Sequence, residues 1–297
     1  MKLIRIFVLL LACFGAYAQQ DTVYNPNSTE RIAFYEQLYR YRVWRTIDLQ
    51  EKQNMGFKSA KSDLIKFILE NVKSGKLLAY DDSLKNVAKP EQILVSNTAV
   101  MQPEWDVNKF YVSTEQVSYK GVNYSSLQND NKGHVPTDAA WWEKTTDQTE
   151  YYSAAQIPAI TLIEDVIFDK RRSRLYYDIQ AVGILAQRPG TTDLNPIAFL
   201  YYKDIYKLVD QFAHSKNLND RDKVQWRNRY NPAENRTFND AFKLRLFHGV
   251  IDKVENPDDR SITEIYRANN RSYWESVFAR WEEEMKLMEK EHNLWEY

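Results

Sequence analysis

A chain of 297 residues with 40 Lys+Arg against 41 Asp+Glu, a net charge of -1 and a mean hydropathy of -0.62 is long and apolar enough to bury one or two real cores. Its near-neutral charge argues against a nucleic-acid binder, which carries a basic stripe. Its eight glycines rule out collagen-like and Gly-rich repeat architectures. Aromatic residues make up 14%, with 20 Tyr and 8 Trp, a supply of amphipathic rings suited to interfaces or flat ligands.

Lys2 and Arg5, the apolar run Ile6–Ala12 and the small-x-small site Ala16-Tyr17-Ala18 have the layout of a secretory signal peptide over residues 1–18. That run is too short to span a bilayer. Leu10-Leu11-Ala12-Cys13 also has the form of a lipobox, which would lipidate Cys13; the site at Ala18 favours ordinary cleavage over it. Cleavage at Ala18 removes the only cysteine, leaving the mature chain no disulfide, thiol nucleophile or Cys-ligated metal. No later apolar run approaches the ~20 residues of a membrane helix.

Ser28 is placed to cap a short helix with Ile32, Tyr35, Leu38 and Tyr39 on one face. Tyr41, Val43, Ile47 and Leu49 then alternate with polar neighbours as in a strand. Ser62 is positioned to cap a second helix whose Leu64, Phe67, Ile68 and Val72 point inward. A short strand is expected over Leu77–Tyr80. Residues 103–148 break the pattern: they are rich in Tyr, Trp, Asn, Thr and Gly and lack helical period. Ile160–Phe168 and Leu175–Ala186 read as a hairpin around the polar tip Asp169–Arg174. A strand over Ile197–Tyr202, a helix through Leu208 and Val209, a helix capped by Thr237, and a strand at Val250–Val254 follow. The last helix has capping-box spacing at Ser272 and Glu275. Trp274, Val277, Phe278, Trp281, Met285 and Met288 recur along it at helical spacing, and Glu282 is placed to pair with Lys286. Such a stripe is expected to be core, with partner docking as the alternative, since Trp295 and Tyr297 extend beyond it. The fold class is α+β, with mixed helices and antiparallel β hairpins. Residues 19–102 and 149–297 form its two parts, and 103–148 is a small all-β insertion.

The sequence has no G-x-S-x-G, P-loop or G-x-G-x-x-G. Its four His are dispersed, without a familiar zinc spacing. No catalytic residue, metal ligand or cofactor is assigned. A carboxylate pair for glycan hydrolysis stays as a third class, and Lys170–Arg174 reads as a solvated hairpin tip.

Within the insertion, Trp105, Tyr111, Val117–Tyr124, Gly133, Pro136 and Trp141-Trp142-Glu143 follow an order that resembles the small chitin-binding type of carbohydrate-binding module. Those modules are three-stranded β units that stack aromatic faces on sugar rings. Leu127-Gln128 stands where they often carry a Trp pair, so the unit is read as structural or protein-contacting, with glycan binding the alternative. Trp105, Tyr119, Tyr124, Trp141 and Trp142 are its candidate glycan or partner contacts; Trp295 and Tyr297 are candidate partner contacts at the C-terminus.

The flanking sequence resembles the GldN family, called PorN in related bacteria. The stretches that carry this are Arg42–Asn54, Tyr176–Ile184 and Asp240–Phe247. The resemblance implies a non-enzymatic periplasmic subunit of the type IX secretion and gliding-motility machinery. It would assemble with a GldK/PorK-like outer-membrane lipoprotein, as a homo-oligomeric or hetero-oligomeric ring coupled to inner-membrane motor proteins.

Overall fold

The computed structural model describes residues 23–90, 94–97, 102–145, 150–187 and 194–294. The signal peptide, Cys13, Trp295 and Tyr297 lie outside them. In chain order the strands are β1 (Gln37–Asp48), β2 (Ala79–Tyr80), β3 (Val87–Ala88), β4 (Val95–Asn97), β5 (Gln116–Tyr119), β6 (Val122–Ser126), β7 (Trp142–Lys144), β8 (Glu150–Tyr151), β9 (Ala159–Asp169), β10 (Arg174–Gln187), β11 (Leu194–Tyr201), β12 (Gln225–Arg227), β13 (Asn235–Thr237) and β14 (Val250–Val254). The helices are α1 (Leu64–Lys73), α2 (Tyr202–Ala213), α3 (Leu218–Lys223), α4 (Phe238–Lys243), α5 (Ile262–Ala268) and α6 (Tyr273–Asn293). The chain is α+β, as its mixed periods predict.

Two compact units divide it. The larger comprises residues 1–89, 154–187 and 194–297. It is built on an antiparallel sheet in the order β14-β1-β9-β10-β11-β2-β3. Strand β9, third in that order, is buried at every position, so its sequence reads as an apolar run broken by Thr161 and by Glu164, Asp165 and Asp169, each paired with an arginine. Register puts Val43 opposite Glu164 and Tyr41 opposite Val166. Directly opposed residues share a face, so Val43, Glu164 and Val166 look one way and the register pair Arg42 and Asp165 the other. On the first face Val43, Val166 and Ile251 bury against Ile262 of α5 and Ala279 and Leu287 of α6. β10 carries a bulge between Ile179 and Ala181. Pro196 of β11 sits opposite Leu185, beyond the one residue at which β2 pairs with β11.

The sequence expectations hold for the β9–β10 hairpin, the strand at 250–254 and the cap at Thr237, which Asp240 completes as a capping box. Four need correction. Residues 28–39 form no α-helix: only a 3-10 turn, Phe34–Glu36, precedes β1, and Leu38 and Tyr39 are strand residues. The spacing of Ile32, Tyr35, Leu38 and Tyr39 imitates a helix, but cross-sheet pairing with β9 wins. The cap of α1 is Asp63, which accepts from Lys66 N; Ser62 is buried and donates to the carbonyls of Lys223 and Gln225. The stripe on α6 is not core. That helix buries Ser276, Ala279 and Leu287, while Trp274 is 69% and Phe278 67% exposed. Lys286 of this helix pairs with Glu283 rather than with Glu282.

The smaller unit spans residues 90–153 and 188–193. It holds a three-stranded antiparallel sheet β5-β6-β7 and a β4-β8 ribbon. The β5–β6 connection is a two-residue turn, Lys120 at φ 52° and Gly121 at φ 77°. That is the left-handed pair a type I′ hairpin requires, which suits Gly at the second position.

Candidate interaction surfaces

The three stretches quoted for the family resemblance converge in the larger unit. Glu164, 0% exposed, accepts from Arg45 Nε at 2.9 Å and from Arg245 Nη1 at 2.7 Å. Burial alone would raise its pKa; the two guanidiniums outweigh it and hold the carboxyl below the ordinary value. Arg45 also donates to Gly249 O at 3.0 Å and pairs with Glu284 of α6. The Arg245 guanidinium stands 4.2 Å from the centre of the Tyr177 ring. Arg245 holds a left-handed backbone, φ 52°, a strained state for a long side chain that persists where surrounding contacts fix it. On the opposite face Arg42 grips Asp165 through two bonds, 2.7 and 3.2 Å. Asn54 is fully buried; it donates to Asp48 O and His248 O and accepts from His248 N. An aromatic cluster of Phe57, Phe238, Phe242 and Phe247 packs beside it. These residues are tied to one another, and their chemistry is internal.

Asp165 and Asp178 face each other across β9 and β10, the pair that comes nearest to a two-carboxylate site. Each is 1% exposed, and Asp165 is neutralised by Arg42. Burial pushes Asp178 up to about 6, against a hydrogen bond from Gln180. Glycoside hydrolysis needs an open cleft between its two carboxyls, and this pair is closed to substrate. Among the described residues no group of three or more His, Cys, Asp or Glu side chains has a metal-holding arrangement, and no helix is long and apolar enough to cross a membrane.

A cleft of about 1010 Å³ opens between the 24–31 segment, the start of β10, α2 and the end of α4. Arg31, Arg174, Lys203, Lys207, Lys243 and Arg245 line it. Lys203 is bound to Pro26 O, Lys207 to Asp204, Lys243 to Glu30 and Arg245 to Glu164. Sequence reading does not single this cleft out, because its walls come from four separated stretches.

In the smaller unit Trp142 is 2% exposed. Its Nε1 donates to His134 O at 2.8 Å, and its ring meets Tyr111 edge-on at 5.2 Å. It forms the centre of that unit's core with Tyr111 and Val117 and offers no open face to a sugar. Trp141 is half-buried, and His134 stacks on one of its faces at 3.9 Å and 8°. Trp105 meets Tyr119 edge-on at 5.6 Å, and Trp105, Tyr124 and Trp141 pack around the core. The candidate aromatics are thus brought together, mainly as packing.

An apolar display runs along α6. Trp274, Phe278, Trp281, Met285 and Met288 are between 46% and 69% exposed, on the side opposite Ala279, Glu283 and Leu287. Trp281 leans on His248, ring centres 5.4 Å apart. Exposed apolar side chains scattered singly are ordinary; a contiguous strip marks an interaction surface.

Comparison with known proteins gives one family. The profile described as "Gliding motility associated protein GldN" matches residues 32–296, which takes in both units. No curated protein matches the chain.

Proposed function

Since the chain belongs to the GldN family of gliding-motility-associated proteins, a component of gliding motility and type IX secretion, we propose that within that apparatus it is a non-enzymatic periplasmic scaffold. It assembles with a GldK/PorK-like outer-membrane lipoprotein into a ring that couples to inner-membrane motor proteins. The lipoprotein holds it at the outer membrane once the signal peptide has gone. The observation that carries the scaffold reading is the outward strip of α6, whose Trp274 and Phe278 are each more than 60% exposed. A solvated monomer has no use for such a strip, whereas an assembly buries it, and aromatic anchors of this kind dominate interface energies.

Deletion of the gene is expected to abolish type IX secretion and gliding, and envelope extracts of the wild type should yield a large ring-shaped particle containing the lipoprotein. Normal secretion by the deletion strain overturns the proposal.

A further inference from the structure

The spacing of the α6 strip is more specific than amphipathicity. Trp274, Phe278, Trp281, Met285 and Met288 follow one another at intervals of four, three, four and three residues. That is the 3.5-residue repeat of a coiled-coil seam, with Trp274, Trp281 and Met288 at d positions and Phe278 and Met285 at a. The seam runs from Trp274 to Met288, a little over two heptads, within a helix of 21 residues. A helix packed only on its own sheet has no need of a second seam. The first is already used: Ala279 and Leu287 are 7% and 4% exposed against the sheet face.

The flanks of this seam select its occupant. One flanking row, the e positions, is Glu275, Glu282 and Glu289; the other, the g positions, is Val277, Glu284 and Glu291. Glu284 is engaged by Arg45 and Glu275 by Arg271 at 3.8 Å. Glu282 and Glu289 are exposed. A second copy of the chain would set acid against acid in either orientation, Glu284 against Glu289 in a parallel pair and Glu282 and Glu289 against their like in an antiparallel one. Flanking charges choose coiled-coil partners by this kind of repulsion. A bilayer is a poor match too, since helices that lie on membranes carry Lys and Arg beside the apolar face. With aromatic side chains of roughly 150–250 Å² each, the exposed seam offers on the order of 600 Å². Its flanks bring the face toward the ~800 Å² per partner of a stable interface.

We propose that the outer face of α6 pairs with an amphipathic helix of another protein, one with apolar residues at its own seam and Lys or Arg in the rows beside it. This deepens the scaffold reading and rests on it for the claim that the face meets a protein. Its test uses no secretion readout, so the two fail separately.

The mature full-length chain is titrated, by isothermal calorimetry at low and at 0.5 M salt, with two synthetic three-heptad peptides. Both carry Ile at a and Leu at d; one has Lys and the other Glu at every e and g position. The Lys peptide is expected to bind at least tenfold more tightly, with the advantage shrinking in high salt. Phe278→Ser with Met285→Ser should remove binding while leaving the circular dichroism spectrum and thermal midpoint in place, because both side chains are exposed. Glu282→Lys with Glu289→Lys should invert the preference between the peptides, a result that misfolding does not produce. Equal affinity for the two peptides, or binding of neither, overturns the proposal. So does a wild-type dimer in sedimentation that Phe278→Ser dissolves, or binding to phosphatidylethanolamine–phosphatidylglycerol vesicles that the same change abolishes.

Discussion

Glu164 shows what the polar residues of the larger unit do. It is fully buried between Arg45 and Arg245, so removing its charge takes the carboxylate from Arg245 and leaves Arg45 with Glu284 alone. Glu164→Gln is expected to cost about 3–5 kcal/mol in urea unfolding, the range for breaking one side of a buried pair. Its depressed pKa makes its contribution complete above the ordinary carboxylate value of 4.5 and lost as pH falls through the folded one. Asp178 has the opposite sign. Its pKa is raised from 3.8 to about 6, so the fold binds a proton that the unfolded chain has released, and stability falls as pH rises across that window. Asp178→Asn should therefore stabilise the protein by about 1–3 kcal/mol at pH 7 and make no difference below pH ~4, as read from denaturant midpoints at the two pH values. These roles are only half legible in sequence. Arg42, Arg45 and Asn54 stand out as a family-like run. Their partners Asp165, Glu164 and His248 lie more than 100 positions away, and no local pattern links them.

Elements follow their local signals where these are strong and depart where a distant surface decides. The I′ turn at Lys120-Gly121 is readable because both residues must have positive φ, and Gly121→Val should destabilise the small unit by more than ~1 kcal/mol. Trp142 looks like a ligand-stacking ring in sequence and is a core ring in space. Trp142→Ala is expected to cost about 3–5 kcal/mol and to erase the near-UV dichroism of that unit, so any glycan test belongs on the half-buried Trp141. On α6 the period is right and the inference drawn from it is not. A helical repeat announces an apolar face but says nothing of what lies opposite. The buried residues are Ser276, Ala279 and Leu287, and the aromatic stripe lies on the side away from the sheet. The false helix at 28–39 has the same origin, since the start of β1, from Gln37, is held extended by its pairing with β9.

At the scale of the molecule, the fold class was open to reading from mixed periods, while the small unit's bounds, 90–153 and 188–193, lie outside the compositional break at 103–148. The exposed seam separates stability from assembly. Trp274→Ser with Phe278→Ser should change folding free energy by no more than ~0.5 kcal/mol per site yet abolish complementation of secretion in a deletion strain; a large drop in the thermal midpoint would count against that separation. A further consequence follows from the order of strands. β1 lies between β14 and β9, so a strand that starts at residue 37 is enclosed only after one that ends at residue 254 has been made. Closure over so long a loop is slow, and the nascent polypeptide lingers without a complete sheet until its final fifth is available. Slowness of this sort means that making the first long strand of the sheet and enclosing it are separated in time by topology itself.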